Sequence, residues 1–178
     1  MTYRDVISFW FDPEHQQFWF RSSDEFDQLI RQKFESLWLS ACKCELFQWR
    51  KSASGRLAEI IVLDQFSRNL NRGSDLAFRQ DGMALMLSQE LISQKSWYDL
   101  TPIERGVSLL PWMHSESLAI HEEAIALFEM SAEPKFLQFE TQHCELIRRF
   151  GRYPYRNVIL GRDSTADEIE WLKHNNSF

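Results

Sequence analysis

Turn residues are scarce in this chain of 178 residues, which holds six glycines and five prolines. A fold of many short strands needs a turn every few positions, so this supply excludes a strand-rich sandwich or barrel and favours long packed helices. Cysteine is rare as well. Cys42, Cys44 and Cys144 form an odd set without a CxxC pair, and Cys42 and Cys44 lie one residue apart, a poor spacing for a bridge or a chelate. That excludes a disulfide framework and leads us to expect reduced thiols in a cytoplasmic protein. Apolar runs such as 60–63 are too short to cross a bilayer, and the opening MTYRDVISFWFDPEH has no basic stretch ahead of an apolar one. Neither a membrane partner nor a signal peptide is expected. Basic residues are outnumbered, 20 against 26 acidic, and the net charge of −6 argues against nucleic acid as a partner. No phosphate-cradling glycine loop, HExxH or GxSxG motif occurs, so no cofactor is expected. His114, Glu116, His121 and His143 have no common ligand spacing, so no metal is expected either.

Aromatic residues are abundant instead: 14 Phe, 7 Trp and 4 Tyr. With 44% hydrophobic and 26% charged residues the chain has an ordinary globular balance, and its length predicts one domain over 1–178. Helix punctuation is the clearest local signal. Ser22-Ser23-Asp24-Glu25 reads as a capping box ahead of Phe26, Leu29, Ile30, Phe34 and Leu37, apolar residues that recur at helical spacing. Thr101-Pro102-Ile103-Glu104 offers an N-cap, a proline at the first helical position and a glutamate at the third, and Thr165 with Glu168 repeats the box before Ile169 and Leu172. Helices are further predicted over 56–70, 78–93, 117–130 and 134–150, the last stopped by Gly151. The fold class is therefore all-α, with about seven or eight helices.

Three polar groupings break the pattern. Residues 57–66 are apolar nearly all round, as in a helix buried on most sides, yet Asp64 sits among them with Arg68 one turn on. A buried carboxylate is costly unless paired, so Asp64 belongs either to a packing salt bridge with Arg68 or to a site. In Leu110-Pro111-Trp112-Met113-His114-Ser115-Glu116 the proline breaks a helix, and Ser115 and Glu116 suit the start of the next. Capping leaves His114 unexplained, as a candidate acid or base or as a structural histidine. His143 adjoins Cys144, but sequence neighbours on a helix point about 100° apart, so they do not form a dyad by adjacency. Finally, residues 148–162 contain Arg148, Arg149, Arg152, Arg156 and Arg162 and no acid, a charge of +5 that leaves −11 for the rest of the chain. These guanidinium groups, interleaved with Phe150, Tyr153 and Tyr155, either recognise a carboxylate or phosphate or pair with the chain's own acids.

Taken together, LDQFSRN (63–69), LPWMHSE (110–116), and RFGRYPYRN (149–157) with LGR (160–162) resemble one family, as do Phe9-Trp10-Phe11 and Trp19-Phe20. It is the family catalogued as domain of unknown function 924, similar to tetratricopeptide-type helical proteins. Ser67, Tyr155 and His121 stand where that family commonly has Pro, His and Gln. The resemblance implies an all-α fold of TPR-like antiparallel helix pairs. It makes Asp64, Gln65, Arg68, Asn69, His114, Glu116, His143, Arg149, Arg152, Arg156 and Asn157 the matching polar positions. Two functions are expected from that set. One is binding of a small anionic molecule, or of a peptide carboxylate, in an Arg/His-lined pocket between helices. The other is a metal-independent enzyme, in which His114 or His143 serves as acid or base, Asp64 or Glu116 orients the imidazole, and arginines clamp the developing anion.

Overall fold

The computed structural model describes residues 1–175, and among these there is no strand. Eight helices of seven residues or more carry the fold. They are α1 (Tyr3–Trp10), α2 (Asp24–Cys42), α3 (Ala53–Ile61), α4 (Asp81–Ile92), α5 (Pro102–Ser108), α6 (Leu118–Ser131), α7 (Pro134–Phe150) and α8 (Ala166–Leu172). None of them is long and apolar enough to cross a membrane.

Their boundaries follow from capping chemistry. Thr101 Oγ1 and the Glu104 carboxylate cap each other's backbone at the start of α5, and Thr165 and Glu168 do the same for α8. Ser23 accepts from the Phe26 amide at 3.2 Å, but its hydroxyl turns to Glu25, so α2 opens on a simple N-cap and then runs five residues beyond Leu37, the last apolar position of its predicted face. Gly151 ends α7 with φ +68°, a conformation open to glycine without a steric penalty. The segment predicted over 78–93 begins only at Asp81, because Asp75–Phe78 winds as a 3₁₀ turn.

At the centre lie α3 and the turn that continues it, with Leu57, Ile60 and Ile61 of the helix and Val62, Leu63 and Phe66 of the turn all buried. Around them pack Val6, Phe9 and Trp10 of α1, Phe26, Ile30 and Phe34 of α2, and Leu87 and Leu91 of α4. The rings of Phe9, Phe34 and Phe66 meet one another at 4.8–6.2 Å between centroids. Gly106 of α5 lets α7 approach: a Cβ there would sit 2.3 Å from the Phe136 ring. Leu146, Ile147 and Tyr153 form a second, smaller core where the chain leaves α7.

The predicted helix over 56–70 is not regular. After Ile61 the backbone passes through a π-helical turn, Val62–Phe66, before one more α turn, Ser67–Leu70. Such turns insert a residue into the helical count and are frequent at functional sites. This one holds Asp64 and Gln65.

Candidate functional site

Asp64 is fully buried on the π turn, and three side chains surround its carboxylate. His114 Nδ1 donates to Oδ1 at 2.8 Å, Arg68 lies 3.2 Å from the same oxygen, and Gln65 Nε2 donates to Oδ2 at 2.6 Å. Burial would push this carboxyl upward. The charge of Arg68 and the hydrogen bonds from His114 and Gln65 outweigh it and hold Asp64 well below the usual carboxylate range. An ionised carboxylate only accepts, so the network places the proton of a neutral His114 on Nδ1. Burial and the nearby Arg68 charge lower the His114 pKa despite Asp64, which keeps the imidazole neutral at pH 7.

Arg68 continues the chain of contacts. Its guanidinium grips Asp81, at the start of α4, through two bonds of 2.9 and 3.0 Å, and donates to the Asp64 carbonyl at 2.8 Å. Arg156, on the short turn Pro154–Arg156, lies 3.6 Å from the same Asp81 and donates to the His114 carbonyl at 3.1 Å. It is stacked among rings, 4.6 Å from the Phe78 centroid and 4.5 Å from that of Tyr153. His143, on α7, donates Nδ1 to the Phe139 carbonyl at 2.8 Å, and burial takes its pKa down to about 3. The alternative between a packing salt bridge and a site at Asp64 thus resolves into an ion-pair network that also borders a hollow.

That hollow has a volume of about 670 Å³, within the range of small-molecule pockets. Gln65, Arg68, Asn69, His114, His143 and Arg156 line it, with aromatic walls that include Trp10, Trp19, Phe20, Phe78, Phe139 and Tyr155. Among the described residues lining it the charged ones are Arg21, Arg68, Arg72 and Arg156, and none is acidic. Asp64, Asp81 and Asp27 are not among the lining residues, but they pair with its arginines: Asp64 and Asp81 with Arg68, and Asp27 with Arg72 at 2.6 Å. The surface offered to a ligand is therefore rich in donors, and the carboxylates that neutralise them do not line it.

Besides Asp64, which meets the cavity only through Arg68, Gln65 and His114, four of the expected site residues do not line it. Glu116 is held by Arg162 through bonds of 2.5 and 2.9 Å and accepts from the Tyr153 amide at 2.9 Å. Arg152 is bidentate to Glu168 at 2.7 and 2.8 Å. Asn157 donates to Ser164 and Glu168 at 3.0 and 3.3 Å and accepts from Arg162 at 3.0 Å. These three form a latch that ties residues 152–164 to α8 and to the segment ahead of α6. The Arg152 hydrogen bonds carry the Glu168 pKa down to about 2 despite burial. Arg149 stacks on its neighbour Phe150 at 4.6 Å. So the arginine cluster divides: Arg152 and Arg162 pair internally, and Arg156 alone of the five reaches the hollow. His121 lies deeper, with Nδ1 2.6 Å from Glu140 and Nε2 donating to the Ser115 carbonyl at 2.8 Å. Asp81, Phe78 and Arg72 join the site without a local signal in the sequence, since nothing in 72–81 departs from an ordinary loop and helix start, and Arg21 does so as a lone basic residue ahead of the α2 cap.

The model of the family described as "Bacterial protein of unknown function (DUF924)" matches residues 6–176. The chain belongs to the DUF924 family. No curated protein matches it. Among solved structures it is similar to a protein of unknown function, ATU0120 from Agrobacterium tumefaciens, with 29% identity, 96% of each chain covered and a TM-score of 0.90. The all-helical DUF924 fold is thus shared nearly end to end at modest identity. Neither the family's description nor the neighbour's names a function.

Proposed function

We propose that this DUF924 protein binds a small organic anion, carrying a carboxylate or phosphate, in the cavity beside the π turn. The observation that carries this reading is the charge of the lining: four guanidinium groups and no acid. Guanidinium is the side chain best matched to planar oxyanions, and a partly enclosed apolar surround strengthens each such contact. A free carboxylate at the end of a peptide offers the same chemistry, though a volume of about 670 Å³ suits a small molecule best. The helix pairs around the hollow would then play the part that paired helices play in tetratricopeptide arrays, presenting a concave surface.

A thermal-shift panel of carboxylated and phosphorylated metabolites tests the reading. Ligand at a hundredfold its Kd should stabilise the fold by about 2.7 kcal/mol. Arg156→Gln should remove that response. Arg152→Gln should lower the starting Tm, because it opens the latch, yet leave the ligand response intact. A response that survives Arg156→Gln and fails with Arg152→Gln would place the anion elsewhere and defeat the proposal.

A second reading, an enzyme, is favoured by the His114–Asp64 pair. A neutral imidazole whose Nδ1–H is fixed by a buried carboxylate presents a basic Nε2, as a general base must. Arg68 and Arg156 would then stabilise negative charge that develops on the bound substrate.

A further inference from the structure

Beyond its charge, the site fixes which hydrogen-bonding groups its ligand must carry. Arg68 and His114 Nδ1 both converge on Oδ1 of Asp64, at 3.2 and 2.8 Å, so guanidinium and imidazole are neighbours across a single oxygen. Asp64 and Asp81 already face Arg68 and Arg156; an imidazolium would place a third cation against two carboxylates in a desolvated site. The neutral ring donates through Nδ1, and no group among the described residues bonds Nε2. His114 lines the cavity together with Arg68 and Arg156, so the neutral ring brings an acceptor nitrogen to a lining whose charged groups are all donors. That nitrogen cannot receive a carboxylate oxygen, which is also an acceptor. An O–H or N–H of the ligand, on an atom close to the acid group, matches it.

The rest of the cavity is aromatic. Trp19 stacks on Trp10 at 5.6 Å, and Phe20 meets Phe139 at 4.8 Å while remaining 42% exposed. His143 joins this wall to the polar end, one turn after Phe139 on α7 and 5.6 Å from the Tyr153 ring against which Arg156 stacks. Uncovered aromatic surface beside a polar head site suits a ligand with an apolar ring attached to its acid end.

We propose that the cavity recognises an aromatic acid bearing a hydroxyl or amine next to its carboxylate, with the acid on Arg68 and Arg156, the donor hydrogen on His114 Nε2, and the ring on the Trp19–Phe20–Phe139 wall. This deepens the anion-binding reading and rests on it.

Calorimetric titration of the intact protein with four probes separates the parts. Mandelate carries ring, hydroxyl and carboxylate; phenylacetate lacks the hydroxyl, lactate the ring, and benzyl alcohol the carboxylate. Mandelate should bind tightest, with phenylacetate weaker by about tenfold for the lost hydrogen bond, and lactate and benzyl alcohol weaker by at least as much. In His114→Phe, which offers no acceptor, mandelate and phenylacetate should become equal; should that variant fail to fold, the wild-type series decides alone. Equal affinity of phenylacetate and mandelate for the wild-type protein, both well above benzyl alcohol, would overturn the hydroxy-acid assignment and leave the anion site standing. Lactate matching mandelate would overturn the role of the aromatic wall. Benzyl alcohol matching mandelate, or no binding by any of the four, would defeat both this inference and the reading beneath it.

Discussion

Asp64→Asn is the most informative single change, because it keeps shape and removes one charge at the centre of the network. In the native protein the carboxylate is shared by Arg68 at 3.2 Å, His114 at 2.8 Å and Gln65 at 2.6 Å, with no access to water. Removing one member of a buried ion pair costs about 3–5 kcal/mol when the partner is left alone. Here Arg68 keeps its bidentate grip on Asp81, and the asparagine oxygen can still accept from His114, so we expect a loss of about 2–3 kcal/mol. For a chain of this length that corresponds to a fall in Tm of roughly 4–12 °C. The loss should also depend on pH. The folded-state pKa of Asp64 lies below its ordinary value of 3.8, so the stabilisation is fully present above that value and disappears as pH falls through the folded pKa. Urea unfolding of wild type and variant at pH 7 and across the acid range measures both quantities. A difference below about 0.5 kcal/mol at pH 7, the size expected of a surface change, would refute the reasoning. So would a difference that stayed constant into acid.

Other perturbations separate the latch from the cavity. Glu116→Gln, which unpairs Arg162 at a half-buried site, should cost about 1–2 kcal/mol in chemical denaturation and leave ligand affinity unchanged; an affinity loss would mean that the latch shapes the site. His143, with its pKa near 3 when folded, should hold its NMR chemical shifts constant from pH 7 to 5. Because the unfolded chain takes up that proton near 6.5, this residue's share of stability should fall as pH drops below that value; a mid-range titration of the folded protein would contradict its burial. Gly106→Ala should destabilise by about 1–3 kcal/mol in a thermal melt, since its methyl would meet the Phe136 ring; a neutral result would show that α5 and α7 are not in close contact.

The helices were legible in the sequence wherever an end is written locally. Thr101 with Glu104, Thr165 with Glu168 and Gly151 act through bonds spanning three or four residues, and each appears where spacing alone places it. Asp64 stood out for the same reason, as a carboxylate on a helix otherwise apolar all round. Its partner at i+4 was visible; His114, fifty positions away, was visible only as an unexplained imidazole. Asp81 carried no signal, because its meaning comes from α4 docking beside the π turn. That turn was hidden too. A smooth 3.6-residue pattern over 56–70 carries no mark of an inserted residue, yet the insertion shifts the face on which Asp64 and Gln65 lie. The arginines posed a question that composition could not answer. Glu116 and Glu168 lie in different segments of the chain, and only their approach to Arg162 and Arg152 separates the latch from the single arginine left for the cavity.

The central claim is that guanidinium groups in the hollow receive an acid from outside. Nitrogen-detected or ¹H–¹⁵N NMR of the arginine side chains, recorded during a titration with phenylacetate, observes this directly. Arg156 Nε, buried without a partner among the described residues, and Arg68 Nε should shift with saturable, common affinity, while Arg152 and Arg162 in the latch stay still. Saturation that leaves Arg68 and Arg156 unmoved, or that moves only the latch arginines, would contradict the account.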